Sequence, residues 1–309
     1  MASGGTPRRC EAPRRAARQA GGGVQAEGAV RVSGGIELVT IGADGGPERG
    51  HGGSARAADG ARTLADALPG RTFDAGTRGS TVTSPPADAD ANTLLTALRQ
   101  AAQRPARWLV VTLAGQLVAD PRGRRVALVT AGSTPDNAYR RGLAWDWITS
   151  AMVHGEQEET LLIVDAVADR DTWAALQRED AAGELLTHSR VPLWGRVGRW
   201  NAGRRGRDDV LPGAEGSFSW ALGRVLEHGV PGAPAALGPL DLQPAVEGQL
   251  GWGEPANAGE ARLLVPRDGG RLLMRNRAAV RGALAGLPFS DELLAVLWRE
   301  SAPTDPPSA

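Results

Sequence analysis

Few residues of this 309-residue chain could act on a substrate. The single cysteine, Cys10, lies between Arg9 and Glu11 in a Gly- and Arg-rich stretch, with nothing nearby to serve as a base. The histidines are His51, His154, His188 and His228. Ser189 adjoins His188, but neighbours along a strand point to opposite faces, so they make no nucleophile–base pair. His228 stands at the expected end of a helix, where the dipole favours it. No HExxH spacing and no second cysteine occur, so neither a metal nor a cofactor is expected. Positive charge is more suggestive. Arg199, Arg204, Arg205 and Arg207 accompany Trp200 in one polar stretch, after Trp194 and Arg196. Arginine and tryptophan dominate binding hot spots, so this stretch points to a protein or acidic peptide partner. A solvated loop balanced by Asp208, Asp209 and Glu215 is the alternative.

The elements that must position any such site centre on residues 107–173. Trp108–Leu113 and Leu161–Val164 are short, nearly unbroken apolar runs, the mark of strands covered on both faces. The segment 143–153 between them is long enough for a crossover helix. Its Trp145 and Trp147 are about 200° apart around a helix axis, so both cannot face the sheet. In open α/β sheets ligands gather beyond the carboxyl ends of the strands. Here those ends carry Gln116 and Asp165. Asp165 is either a groove residue or a polar strand end bonded to nearby backbone.

Further elements follow from pattern. Gly35–Gly42 alternates as a first strand. Residues 59–68 place Ala58, Ala61, Leu64, Ala65 and Leu68 on one helical stripe, stopped by Pro69-Gly70. Ser80–Thr83 reads as a short edge strand. Asn92 is the expected N-cap of a helix carrying Leu94, Leu95, Leu98 and Ala102. Asp120-Pro121-Arg122-Gly123 marks a turn into a hairpin strand at 125–130. A helix at 169–179 turns Trp173 and Leu176 inward, a strand spans 191–197, and a helix runs from Ser217 to His228, capped by Gly229. Arg262–Val265 and Arg271–Met274 suggest a last hairpin about Asp268-Gly269-Gly270. The Gly-rich stretch 42–53 lacks the Gly-Lys-Ser/Thr ending of a phosphate loop, and the chain has no lysine.

In order and spacing these motifs resemble the bacterial caspase-like (peptidase C14) domains. Ala114-Gly115-Gln116-Leu117 stands where that family has Ala-Gly-His-Gly, and Asp165-Ala166-Val167 where it has Asp-x-Cys. Residues 58–68 are similar to its first helix, Gly216–Leu222 to its Gly-x-Phe-Thr helix start, and Leu273–Asn276 to a closing segment. The likeness spans roughly residues 35–277. It implies a caspase-like three-layer α/β sandwich, a mainly parallel six-stranded sheet with helices on both faces. It also implies that Gln116 holds the position of the catalytic histidine and Val167 that of the nucleophilic cysteine. Valine has no lone pair to attack with, and glutamine takes up no proton near neutral pH, so the dyad is absent. The expected role is a pseudo-peptidase that binds protein or peptide, with Asp165, Trp194, Arg199, Trp200, Arg204, Arg205 and Arg207 about the groove. A hydrolase using other residues and an unrelated doubly wound binding domain are the alternatives.

Composition sets the outer bounds. Apolar residues are 41%, enough for a sizeable core, and formal net charge is zero, against any chain-wide pull toward nucleic acid or anionic membrane. No apolar run reaches the roughly 18 residues of a membrane span. The first residues lack the apolar segment of a secretory signal, so cytoplasm is the expected location. Residues 1–30 read as a disordered leader, 31–280 as the α/β domain, 281–300 as a C-terminal helix and 301–309 as a disordered tail. Oligomeric state is not legible.

Overall fold

Nearly unbroken apolar strands build a sheet covered on both sides. The computed structural model describes residues 35–43, 54–68, 80–178, 183–186, 188–200, 211–251, 261–266 and 272–279. In chain order, β1 is Ile36–Gly42, α1 Ser54–Ala67, β2 Ser80–Thr83 and α2 Ala91–Ala102. Then come β3 (Trp108–Ala119), β4 (Val126–Leu128), α3 (Ala138–Arg141), β5 (Leu143–Ala144) and α4 (Trp145–Val153). β6 (Glu159–Ala168), α5 (Arg170–Arg178), α6 (Gly183–Leu186) and β7 (Leu193–Arg199) follow. The last elements are α7 (Phe218–His228), β8 (Ala236–Leu237), α8 (Pro239–Leu250), β9 (Ala261–Leu264) and β10 (Met274–Arg275).

The central path of the sheet has six strands in the order β2-β1-β3-β6-β7-β9. The first five are parallel, and β9 closes the edge antiparallel to β7. The α/β class and the mainly parallel six-stranded path expected from the sequence are both present. β4 pairs antiparallel with the end of β3, and β5 pairs with β4. The turn between β3 and β4 is made by Asp120, whose carboxylate accepts the N–H groups of Arg124 and Arg125, and by Gly123 at φ 64°, a conformation that favours glycine.

Each face of the sheet has its own core. Val39, Val111, Leu113, Leu162, Val164 and Val197 pack under α2, α4 and α5. Ile36, Leu38, Val110, Leu161, Ile163 and Trp194 pack under α1, α7 and α8. Strand alternation assigns the residues: odd positions of β3 go one way and even ones the other. The tryptophans of α4 divide as their spacing requires. Trp145 is buried and donates from Nε1 to the Leu186 carbonyl at 2.7 Å, while Trp147 is exposed.

Three expectations are corrected. The N-cap of α2 is Asp90 rather than Asn92. Its carboxylate accepts the Thr93 N–H at 2.8 Å, and the bonds from Thr93 hold its pKa below the ordinary carboxylate range. The helix of residues 59–68 begins earlier, at Ser54, so its buried stripe includes Ala57. The closing segments do not form a hairpin with each other. β9 lies against β7, and β10 pairs with β8 in a separate two-stranded sheet, because each finds a free edge elsewhere. The expected leader, C-terminal helix and tail lie outside the described residues.

At Gly195 (φ 150°) an added Cβ would overlap the Val164 carbonyl oxygen of the neighbouring strand. Nothing lies within 4 Å of a Cβ added at Gly248, on the exposed side of α8. The two substitutions are therefore expected to move stability in opposite directions. Gly195→Ala should lower it by about 3 kcal/mol, through overpacking and backbone strain. Gly248→Ala should raise it by about 0.5–1 kcal/mol. Urea denaturation of the two variants checks both, and a tolerated Gly195→Ala would contradict the close β6–β7 approach.

Candidate functional site

Parallel pairing of β3 with β6 sets Ala114 beside Asp165 and Gln116 beside Val167. Pairing of β6 with β7 sets Asp165 beside Arg196 and Val167 beside Gly198. By alternation, Gln116, Asp165, Val167, Arg196 and Gly198 all project to the face covered by α1, α7 and α8. They sit at the carboxyl ends of their strands, beyond the apolar core of that face. The two positions singled out by the sequence motifs, Gln116 and Val167, are thus direct cross-strand partners at one mouth of the sheet.

Asp165 is 3% exposed, and its bonds explain how a buried carboxylate is tolerated. Its Oδ2 accepts the N–H of Ser219 at 2.9 Å and the N–H of Gly213 at 3.2 Å. These donors belong to the start of α7 and to the turn before it. Orphan N–H groups and the positive end of the helix dipole favour a carboxylate there. Ser217 completes the cap by accepting the Trp220 N–H at 3.3 Å.

Arg196 lies on the adjacent strand and is largely buried. Burial lowers its guanidinium pKa, while the Asp165 charge acts to raise it. Its Nη1 donates to the Gly216 carbonyl at 3.3 Å. Each of these two charged groups therefore bonds to the same loop, residues 213–219, rather than to the other. The Nη2 of Arg196 lies 3.7 Å from the point a Gly198 Cβ would occupy, and Val167 Cγ1 lies 3.8 Å from that same point. The guanidinium thus reaches beside Val167 over the space left by a glycine. Among the described residues, buried polar atoms on this face without a hydrogen-bond partner include, near these strand ends, Arg196 Nε, Gln116 Nε2, Ser219 Oγ and Thr112 Oγ1.

Several expected groove residues are elsewhere. Trp194 is 0% exposed, sets its ring edge-on to Phe218 at 5.4 Å, and donates from Nε1 to Gln243 Oε1 at 2.6 Å. It is a core residue and offers no surface to a ligand, which corrects the expectation. Arg199, two residues after Val197, shares its face and so lies opposite to Gln116 and Val167, outside the groove. Trp200 follows β7, its N–H bonded to the Ala168 carbonyl at 2.8 Å. Arg204, Arg205 and Arg207 lie outside the described residues. Arg196, which the sequence places only as a lead-in to the positive stretch, joins the site; a lone arginine inside an apolar strand run is the signal for it.

The remaining candidates for chemistry stand apart. His154, His188 and His228 are all exposed. His228 closes α7, its Nδ1 within hydrogen-bond distance of the Arg224 carbonyl. His188 accepts the Arg190 N–H at 3.2 Å and makes no bond to Ser189. Among the described residues no three His, Cys, Asp or Glu side chains gather so as to hold a metal ion, and no helix is long and apolar enough to cross a membrane. A cleft of about 480 Å³ lined by Met152, Val153, Gln157, Glu159, Arg190 and Pro192 opens where β6 and β7 begin, at the other end of the sheet from Gln116.

Among solved structures the chain is similar to a crystal structure of caspase-1 from Spodoptera frugiperda. The two are 13% identical, the match covers 76% of this chain and 84% of that chain, and the TM-score is 0.37. No family model matches the chain, and no curated protein matches it.

The bonding of Asp165 gives a direct expectation. Asp165→Ala removes two charge-assisted bonds, one to α7 and one to the turn before it, and leaves Arg196 without its neighbouring charge, which should cost about 3 kcal/mol. Asp165→Asn keeps an acceptor oxygen and should cost less. Hydrogen exchange at the Ser219 amide should accelerate in Asp165→Ala beyond the change in global stability. An unchanged Ser219 exchange rate with stability within about 0.5 kcal/mol would contradict the assignment.

Proposed function

We propose that this chain is a caspase-like domain that binds rather than cuts: a pseudo-peptidase whose groove holds a protein or acidic peptide segment. Its setting would be regulatory, beside an active protease or effector in a bacterial signalling or conflict system. The observation that supports it best is the pairing of Gln116 with Val167 at the mouth of the sheet. Those motif positions are the ones where the resembled family carries its base and its nucleophile, and here they stand side by side. A side-chain amide cannot take a proton from an attacking group, and two methyls cannot form a covalent intermediate. Losing the nucleophile from a unit of this kind removes several powers of ten in rate. What the position keeps are hydrogen-bond donors, the Gln116 amide and the Arg196 guanidinium, which are the equipment of recognition. The arginines beyond β7 would then add general attraction for an acidic partner.

The test uses purified full-length chain and a fluorogenic peptide library with acidic and basic residues at the cleavage position. No turnover above the buffer rate is expected for any member. Turnover that Gln116→Ala abolishes would overturn the reading and restore an enzyme. In parallel, the combined substitution Arg204→Ala, Arg205→Ala, Arg207→Ala should weaken capture of acidic partners from an extract of the native host. Capture that is unchanged would remove that segment from the binding surface.

A further inference from the structure

The cleft of about 480 Å³ at the amino ends of β6 and β7 has a chemistry unlike that of the Gln116–Val167 row at the other end of the sheet. One side of it is apolar: Met152 and Val153 end α4, and Pro192 stands just ahead of β7. The other side is the segment that leads from α4 into β6, which supplies Gln157, Glu158 and Glu159. Acceptors predominate there. The Gln157 amide has a fixed orientation, because its Nε2 donates to the carbonyls of Ala102 at 3.1 Å and Arg104 at 2.8 Å. Its Oε1 is left against Gly155, buried and with no hydrogen-bond partner among the described residues. Gly155 makes this possible, since a Cβ there would overlap that oxygen. A buried acceptor without a donor is costly, so Oε1 is a place for an incoming N–H. The helix adds to the same sign, because the last turn of α4 holds no basic residue to offset the negative end of its dipole. Among the charged groups, Glu159 is half-buried, Glu158 is tied to Arg107 at 3.1 Å, and Arg190 is exposed at the rim, where solvent screens it.

We infer that this cleft is a second binding site, for a small alkyl cation: a guanidinium or primary ammonium on a short hydrocarbon stem. The stem lies along Met152, Val153 and Pro192. The head donates to Gln157 Oε1 and to the Glu159 carboxylate. At about 480 Å³ the cleft is within the range of small-molecule sites. A guanidinium is the better head, since its planar fork can meet an amide oxygen and a carboxylate together. The site does not depend on the binding role proposed for the other end of the sheet, because nothing in it uses Gln116, Val167 or the arginines beyond β7. The same head occurs on free guanidines and on the arginine side chain of a peptide, and the choice of probes separates the two.

Ligand-observed NMR titration of the full-length protein tests the site, with n-butylguanidinium and n-butylurea as probes. The two have nearly the same shape and differ in charge. The guanidinium should bind about tenfold or more tightly, the difference that a charge-assisted bond makes. Glu159→Gln should remove most of that preference. Arg190→Gln should raise affinity for the guanidinium about two- to fivefold, because it withdraws an exposed charge of the same sign from the rim. A merely structural role for these two residues would move both probes alike. Val153→Trp, which fills the cleft from its apolar side, should abolish binding of both. The peptide acetyl-Gly-Arg-Gly-amide distinguishes the sources: binding tighter than that of n-butylguanidinium assigns the cleft to an arginine side chain of a partner, and weaker binding assigns it to a free small cation. Thermal melting confirms that each variant is folded; should Val153→Trp fail to fold, the opposite shifts of Glu159→Gln and Arg190→Gln carry the test. Equal binding of the two probes, no binding of either, binding that survives Val153→Trp, or a loss of guanidinium affinity in Arg190→Gln would overturn the site.

Discussion

A buried carboxylate fastened to the start of a helix is the contact on which this end of the molecule depends. Asp165 interrupts the apolar run near the end of β6, and its Oδ2 takes the N–H groups of Ser219 and Gly213. That ties α7 and the turn before it to the centre of the sheet. Arg196, one strand over, holds the same turn from the other side through the Gly216 carbonyl. Two opposite charges therefore clamp one loop over the strand ends. Each is tolerated inside the protein because the other stands beside it and because backbone dipoles complete its bonding.

The clamp acts on a frame that backbone geometry has already fixed. Gln116, Val167 and Gly198 form one row because β3, β6 and β7 are parallel and in register, so a shift of one residue would turn Gln116 into the α2 side of the sheet. Gly195 holds that register from within, since a side chain there would run into the Val164 carbonyl. The row is thus a consequence of close strand packing, and its chemistry is a consequence of which residues happen to occupy it. With an amide, a pair of methyls and a guanidinium in the row, the mouth can donate hydrogen bonds and present charge.

Much of the frame was legible because apolar strands buried on both faces leave an unmistakable sequence pattern. Val, Leu and Ile in 108–113 and 161–164 marked the two central strands, and the polar residues ending them marked the mouth. The helical stripes of α2 and α5 were equally plain, since Leu94, Leu98, Trp173 and Leu176 recur at helical spacing and are buried. What failed were judgements that need the third dimension. Trp194 looked like a hot-spot residue, but its even position in β7 turns it under Phe218 and Gln243. Arg199 is close to the mouth in sequence, yet alternation sends it to the other face. Arg196 shares a face with Asp165 only through the β6–β7 register, which no local pattern reveals. The pairing of β10 with β8 likewise depends on an edge made far away in the chain.

The most direct test of this account asks whether positions 116 and 167 truly meet. In a Cys10→Ser background, a thiol introduced by Val167→Cys can be followed by its rate of alkylation across pH, alone and together with Gln116→His. If the two side chains face each other across adjacent strands, the imidazole will assist thiolate formation. Alkylation in the double variant should then persist well below the ordinary thiol pKa of about 8.5. Identical pH profiles with and without Gln116→His would show that the two positions do not share a site, and would contradict the account.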